Sequence, residues 1–253
     1  MLTNYFMVFL RNLRQQKTVA IINVAGLAVG LCVFIMIGLY VQGEYSYESR
    51  WRNADRTVRL LNTIRIAATT AFVSAGSSGL ALPALRRYFP DRIEKAARVW
   101  PRGQAIRIGD DTVQGNVYLV DRDFIDIFDF ETVAGNLADT LAATNRIALN
   151  ETEAGKLFKG ESALGKRLTL QVAGVGDVDY EVTAIYRVPP GKGRLQFANF
   201  SLLDEQALPD AKPMFTNWWG NGSLVGGFLL LRPGTDVAAL NAGLDTFVDA
   251  NVT

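Results

Sequence analysis

Two stretches of the sequence carry residue types at spacings that are used in phosphate and calcium chemistry. Residues 160–167 read GESALGKR, which follows the nucleotide phosphate-loop pattern G-x-x-x-x-G-K-[S/T] up to its last position. Arg167 replaces the hydroxyl residue that would bind magnesium. A predicted helix also precedes this segment and a predicted strand follows it, which reverses the order of a phosphate loop. We therefore interpret residues 160–167 as a structural turn.

The second stretch contains Asp121, Asp123, Asp126 and Asp129. An EF-hand loop that began at Asp121 would require glycine in place of Asp126 and glutamate in place of Thr132, and both are missing. We interpret Asp121 as the N-cap of a short helix, with the other carboxylates on its solvated face.

Composition removes several classes of chemistry. The chain of 253 residues has no histidine, and its one cysteine, Cys32, lies in an apolar segment. Histidine is the usual general base and the commonest metal ligand, so Ser–His, Cys–His and His-type metal chemistry are excluded. The 26 basic and 25 acidic residues give a net charge of +1, which argues against a nucleic-acid partner. We predict no enzyme activity, no catalytic residue, no metal site and no cofactor.

Residues 18–41 read TVAIINVAGLAVGLCVFIMIGLYV and contain no charge and no proline. At about 1.5 Å rise per residue, such a helix is roughly 36 Å long and crosses a hydrocarbon core of about 30 Å. A cleaved signal peptide would have a shorter apolar core of about 7–15 residues and a small-x-small cleavage site. We therefore predict one retained transmembrane helix at 18–41.

The charges that flank this helix predict its orientation. Arg11, Arg14 and Lys17 precede it with no acidic residue, whereas the charges at 44–55 are mixed. Basic flanks favour the cytoplasmic side, so the N-terminus is predicted to be cytoplasmic and residues 43–253 periplasmic, in the inner membrane. The next most apolar run, 224–231, is too short to cross a bilayer and reads as a buried strand.

Two further features concern the membrane. Residues 1–17 have apolar side chains at helical spacing, which predicts an amphipathic helix in the cytoplasmic interface, although a simple extension of the transmembrane helix remains the alternative. Gly26 and Gly30 lie four residues apart, and small residues at that spacing allow two helices to approach closely in lipid. Asn23 could form a hydrogen bond across the same contact. We name Asn23, Gly26 and Gly30 as candidate helix-packing residues.

Strand patterns outnumber helix patterns in the remainder of the chain, and many neighbouring strands look like hairpins. Predicted strands lie at 57–66, 93–100, 104–108, 112–120, 146–149, 167–173, 179–188, 196–203 and 223–232. Helices are predicted after Ser77 or Ser78, after Asn150, and after Asp236, with Val237, Leu240, Leu244 and Phe247 on one face. This pattern predicts an α+β domain with mixed or antiparallel sheets.

We expect residues 42–253 to form two subdomains, since a break falls near 101–120. The first is a membrane-near part built from both chain ends, and the second is an inserted β-rich part at about 101–200. Within the domain, the aromatic segment at 218–222 (WWGNG) could be a ligand platform or a plug at the edge of a core, and the plug is favoured.

Several short segments resemble, in order and spacing, the periplasmic core region of the MacB-like ABC permeases. The segments that resemble the family's first membrane helix and its exit are 12–14, 22–30, 40–47 and 53–59. Later segments that resemble it are 82–85, 89–90, 124–130, 164–168 and the strand at 179–186. The resemblance covers nearly the whole chain. It rests on the order and spacing of all these segments together, because each segment alone is too short to be specific.

The resemblance implies a role in transport. Such permeases act as dimers that couple a cytoplasmic ABC ATPase to a periplasmic domain, which moves or hands over a lipoprotein, peptide or drug. The implied partners are a cytoplasmic ABC ATPase subunit, a second permease subunit in a homo- or heterodimer, and the lipid bilayer. Family members continue into at least three further spans, so a fragment, a split gene or a decayed copy is expected.

Three functions were compatible with these observations. The first is the N-terminal portion of an ABC exporter permease subunit. The second is a stand-alone membrane-tethered periplasmic binding module without an ATPase. The third, an anchored hydrolase, is the weakest because it would need a carboxylate pair in a cleft that the sequence does not identify.

Overall fold

The computed structural model describes residues 11, 16–45, 50–64, 71–172, 174–190, 197–218 and 225–252. Most of the predicted interfacial helix at 1–17 therefore lies outside the described residues. The chain divides into two compact units, Met1–Tyr47 and Glu48–Thr253, which are described separately here.

The first unit contains helix α1, Lys17–Tyr45. It includes the predicted transmembrane segment and extends it by about one turn at its C-terminal end. Its part Lys17–Gln42 is long and apolar enough to cross a membrane. Large apolar side chains remain exposed along it, among them Leu27 at 74% and Phe34 at 73%. A helix with this surface has no solvated face, as expected for a segment in lipid.

The second unit is an α+β domain, as predicted. Its strands are β1 Thr57–Arg59, β2 Asn62–Ile64, β3 Phe72–Ser74, β4 Gly76–Ser77, β5 Ile93–Ile108, β6 Asp111–Val120, β7 Glu131–Gly135, β8 Arg146–Asn150, β9 Arg167–Val172, β10 Gly176–Arg187, β11 Asn199–Leu202 and β12 Val225–Leu231. Its helices are α2 Ala81–Tyr88, α3 Phe124–Ile127, α4 Leu137–Thr140, α5 Glu151–Leu157, α6 Lys212–Thr216, α7 Val237–Ala242 and α8 Leu244–Asn251, with a 3₁₀ turn at Pro209–Ala211.

Six strands close into a ring in the order β5, β6, β11, β8, β10, β9 and back to β5. The pairs β6–β11 and β8–β10 are parallel, and the other four are antiparallel. Apolar side chains from five of these strands form one buried cluster, which includes Ile106, Val117, Leu149, Leu170 and Val182. The ring leaves few unpaired strand edges, because each strand finds a partner on both sides.

Strand β5 also belongs to a second group of strands. Its first part pairs with β12, which in turn pairs with β1 and β4. The sequence predicted two strands here, but the structure has a single strand that runs through Pro101. In the described part of the chain, residues 100–104 have a partner strand only on the β6 side. A strand with one open edge tolerates proline, because no ladder hydrogen bond is lost on that side.

An aromatic cluster joins the strands of both groups, and all its rings are buried. Its members are Trp51, Phe124, Phe128, Phe130, Tyr186, Phe197, Phe200 and Phe228. Phe128 meets Phe228 of β12 edge-to-face at 5.0 Å between centroids, and Phe130 meets Tyr186 of β10 at 4.9 Å. The boundary predicted near residue 101 thus falls inside β5, and the division into a membrane-near part and an inserted part at 101–200 remains a prediction.

The C-terminal helices cover the outer side of β12 and α2. The predicted last helix is divided into α7 and α8 at Gly243, where an added Cβ would lie 3.1 Å from the ring of Phe89. Leu240 and Phe247 are buried as predicted, but Val237 is 41% exposed. The break lets the chain pass close to Phe89, which no local sequence pattern shows.

Other local predictions are confirmed in some places and wrong in others. The hairpin of β5 and β6 turns at Gly109, whose φ is +59°. Asn150 caps α5 by accepting the N–H of Thr152. The single strand predicted at 57–66 is wrong, because β1 and β2 are separate strands with different partners. Ser77 and Ser78 do not cap α2: Leu80 occupies the N-cap position without a side-chain cap bond, and Ser78 accepts the N–H of Leu80 in the turn before it.

Two glycines provide a matched test of this fold. Gly135 has φ +76°, and an added Cβ would lie 2.1 Å from the Thr183 carbonyl oxygen. Gly155 lies in α5 with no atom within 4 Å of an added Cβ. Gly135→Ala is expected to lower the free energy of unfolding by about 2–4 kcal/mol, whereas Gly155→Ala should raise it by about 0.5–1 kcal/mol. Urea unfolding of the detergent-solubilised chain, followed by circular dichroism, measures both; equal midpoints would contradict the described β7–β10 contact.

Candidate functional site

The three candidate helix-packing residues share one side of α1. Asn23, Gly26 and Gly30 are spaced three and four residues apart, which places them on the same helical face. All three are exposed, and a Cβ added to Gly26 or Gly30 would meet nothing within 4 Å. The use of this face in helix packing remains a prediction.

The acidic stretch at 121–129 is organised by cations of the protein itself. Asp123 pairs with Arg86 at 2.7 Å, Asp126 pairs with Lys95, and Asp129 pairs with Arg52. Among the described residues, no group of three or more carboxylate, histidine or cysteine side chains could hold a metal ion. Asp126 and Asp129 are exposed, as the predicted solvated face requires, and the ion pairs hold them against neighbouring elements.

The prediction that Asp121 is an N-cap is wrong. Asp123 occupies the N-cap position of α3 and makes no side-chain cap bond. The Asp121 carboxylate instead accepts the backbone N–H of Arg98 at 2.8 Å and both Nε and Nη2 of its guanidinium at 2.9 Å. The Asp121 carboxylate therefore binds the guanidinium on the neighbouring strand instead of the backbone N–H groups at the start of α3. Two hydrogen bonds to a guanidinium are stronger than one cap bond.

Arg98 is the central cation of this region, with only 8% of its surface exposed. Besides Asp121, it donates to Glu205 at 2.5 Å and to the Gly79 carbonyl at 3.1 Å, and it lies over the Phe215 ring at 5.4 Å. Burial by itself would lower the pKa of the Arg98 guanidinium, but the hydrogen bonds and charges of Asp121 and Glu205 raise the pKa above its usual value.

A groove of about 630 Å³ opens beside Arg98. Its walls are α2, the first half of β5, and the segments 121–123 and 202–206. Two ion pairs line this groove. Arg86 pairs with Asp123, and Arg98 pairs with Asp121. The paired charges stabilise the groove, and within the described residues it presents no unpaired set of carboxylates for acid–base catalysis.

Two other motifs from the sequence have structural roles. Helix α5 precedes the turn at 160–167 and β9 follows it, with Gly160 and Gly165 at positive φ, so the segment is not a nucleotide loop. Trp218 packs against Phe247 of α8 at 6.2 Å between ring centroids, which fits the plug interpretation. Residues 219–222 of the aromatic segment lie outside the described residues.

Comparison with known proteins gives the same family that the sequence resembles. The family model for the MacB-like periplasmic core domain matches residues 20–247. None of the curated proteins matches this chain. A solved domain described as that of a permease protein from Porphyromonas gingivalis is similar to this chain, with a TM-score of 0.67 at 22% identity over 80% of this chain and 84% of that one.

Two more distant structures share the fold. The periplasmic region of MacB from Actinobacillus actinomycetemcomitans has a TM-score of 0.54 at 11% identity, over 77% of this chain and 83% of that one. The extracellular domain of the noncanonic ABC-type transporter YknZ from Gram-positive bacteria has a TM-score of 0.53 at 12% identity, over 77% and 94%.

The chain carries a periplasmic domain of the kind found in ABC transporter permease-type proteins. It belongs to the MacB-like periplasmic core domain family, because the family model matches most of its length. That family is a transporter permease domain rather than an enzyme class. Together with the apolar helix α1, this membership indicates a membrane-anchored protein.

The sequence did not single out Arg98. It stands among apolar and small residues in the run AARVW, where a lone arginine gives no indication of its partners. Its partners lie 23 and 107 residues away in the chain, so only the folded structure brings them together.

Removing the charge of Asp121 tests whether this ion pair stabilises the fold. Asp121→Asn leaves Arg98 buried with one fewer carboxylate, so we expect the free energy of unfolding to fall by about 2–4 kcal/mol. The control is Asp177→Asn, which breaks the exposed pair with Arg107 and should cost less than about 1 kcal/mol. Chemical unfolding of the full chain compares the two variants, and a cost for Asp121→Asn no larger than that of the control would rule out the assigned role.

Proposed function

We propose that this chain is the membrane-anchored N-terminal portion of an ABC exporter permease subunit. Its periplasmic domain would couple ATP hydrolysis in a cytoplasmic ATPase to the export or handover of a lipoprotein, peptide or drug. The observation that carries the proposal is the family match over residues 20–247, which begins inside α1 and continues through the outer domain. A match that includes both parts supports a permease in which helix and domain work together.

The proposed orientation places the N-terminus in the cytoplasm and residues 43–253 in the periplasm, with α1 in the inner membrane. Its support is the excess of basic residues before α1, since Arg11, Arg14 and Lys17 are accompanied by no acidic residue. This orientation puts the ATPase partner on the side of the N-terminus and the substrate on the side of the outer domain.

The arrangement of the outer domain supports a coupling role. Aromatic contacts join β12 to β10 and β11 through Phe128 and Phe130. Closely packed interiors have low compressibility and transmit displacement, so movement applied at one edge of the domain would reach the other. The paired charges of the groove beside Arg98 fit such a mechanical part better than a reaction centre.

Copurification tests the ATPase partnership. The full chain, tagged at its C-terminus, is extracted from its native host in mild detergent, and we expect an ABC ATPase subunit in comparable amount by mass spectrometry. The control is an unrelated single-pass protein with the same tag. Recovery of the chain without any ATPase would reject this function and favour the stand-alone binding module.

Protease digestion of spheroplasts from the native host tests the orientation of the chain in the membrane. Protease added outside intact spheroplasts is expected to digest residues beyond 43, because the outer domain would be the accessible part. Full protection of the domain would reverse the proposed topology.

A dimerisation assay in a membrane tests the second permease subunit as a partner of α1. Gly26→Leu and Gly30→Leu add bulk at the proposed contact, and we expect each to weaken self-association of the helix by about 1 kcal/mol or more. Gly38→Leu is the matched control, because Gly38 is also open in the structure but lies outside the Gly26–Gly30 pair. An unchanged signal for both variants would exclude this face from helix packing.

A further inference from the structure

Residues 50–56 are the first described residues of the second unit and follow α1 closely in the chain. Only residues 46–50 separate Tyr45, where α1 ends, from Trp51. Trp51 is 4% exposed and belongs to the aromatic cluster, whereas the neighbouring Arg52 is exposed. The first deeply buried side chain that the structure describes after the membrane helix is therefore a tryptophan in the central core of the domain.

The ring contacts of Trp51 are specific. It meets Phe128 edge-to-face at 5.0 Å and Phe130 edge-to-face at 5.3 Å, and Phe197 lies at 6.2 Å. The Arg50 guanidinium lies 5.0 Å from the centroid of the Trp51 ring. Edge-to-face pairs have a preferred geometry, so a pull on Trp51 must break several oriented contacts together.

The rings that Trp51 touches lead to separate strands. Phe128 contacts Phe228 of β12 at 5.0 Å, and Phe130 contacts Tyr186 of β10 at 4.9 Å. Tyr186 in turn donates its hydroxyl to the carbonyls of Phe197 and Ala198. A displacement of Trp51 would therefore be shared between strands on both sides of the aromatic cluster.

Polar contacts fix the rest of the segment in place. Arg52 pairs with Asp129, which lies between Phe128 and Phe130 in the chain. Arg56 donates to Glu94 at 2.9 Å and to the Leu231 carbonyl at 2.8 Å, and the Arg56 carbonyl accepts the N–H of Leu231. Strand β1 then continues along β12 from Thr57.

We propose that Trp51 is the positioning residue through which a pull on the membrane helix enters the outer domain, with residues 50–56 acting as a clamp. The inference deepens the proposed coupling function and rests on it for its biological meaning. Five residues, 46–50, can span at most about 18 Å at about 3.6 Å per residue, so a larger displacement of α1 must act on Trp51. The buried indole would pass that displacement to β12 and β10 through Phe128 and Phe130.

Force spectroscopy on the full chain in detergent measures the clamp directly. In a Cys32→Ala background, handles are attached through Gln42→Cys at the end of the membrane segment and Asp110→Cys at the exposed tip of the β5–β6 hairpin. The intact chain should release residues 50–56 in a first step of about 24 Å, at about 3.4 Å per residue. Trp51→Ala should make this first step at least about tenfold faster at a fixed force.

A second pulling direction separates the clamp from ordinary core stability. Handles at Asp249→Cys and Asp110→Cys load the domain through α8, and here Trp51→Ala should change the first rupture by no more than about twofold. Trp100→Ala is the matched control, because Trp100 is 6% exposed and packs on Phe215 at 5.9 Å, away from the clamp. It should leave the first step from Gln42 unchanged.

The outcomes decide between the clamp and a general packing role. An unchanged first step in Trp51→Ala, or equal acceleration in both pulling directions, overturns the proposal. If the alanine variant does not fold, Trp51→Phe keeps a smaller ring and should give an intermediate rate. The force measurement contains no ATPase. A failed clamp prediction is therefore distinguishable from a failed prediction of the ATPase partner, which copurification tests separately.

Discussion

The domain at Glu48–Thr253 depends on the packing of aromatic rings that come from distant parts of the chain. Phe128 and Phe130, on either side of Asp129, reach Phe228 near the end of the sequence and Tyr186 in the long strand β10. Each buried ring removes about 150–250 Å² from water, and edge-to-face contacts add orientation to that burial. The rings therefore link β12 to β10 through the core in addition to the strand pairing. Burial also raises the pKa of the Tyr186 hydroxyl well above its usual value.

Charged groups surround this core in pairs. Arg98 and Asp121 join β5 to the end of β6, while Arg56 and Glu94 join the segment after the membrane helix to the start of β5. Among the ion pairs of the described residues, the pair of Arg98 and Asp121 is the most buried and should influence stability most, since exposed ion pairs are screened by water and salt. Paired charges of this kind also line the groove beside Arg98.

Local predictions succeeded where nearby residues decide the structure. The hairpin at 104–120 follows from Gly109 and the alternation on either side of it, and the cap at Asn150 follows from one side chain and its own helix. Local reading failed where a distant partner competes. Asp121 has the residue type and position of a cap, but the guanidinium of Arg98 offers it stronger hydrogen bonds. The two strands predicted at 93–100 and 104–108 are one strand, which passes through Pro101 because only one of its edges is paired there.

The sequence by itself determined the uncharged membrane helix, the lack of histidine chemistry and the family, because these depend on composition, length and the order of short segments. The tertiary structure alone decided that six strands close into a ring, that Arg98 is buried with Asp121 and Glu205, and that Trp51 enters the aromatic core. These features join residues far apart in the chain, and a pattern of hydrophobicity shows which side chains are buried without showing which of them meet.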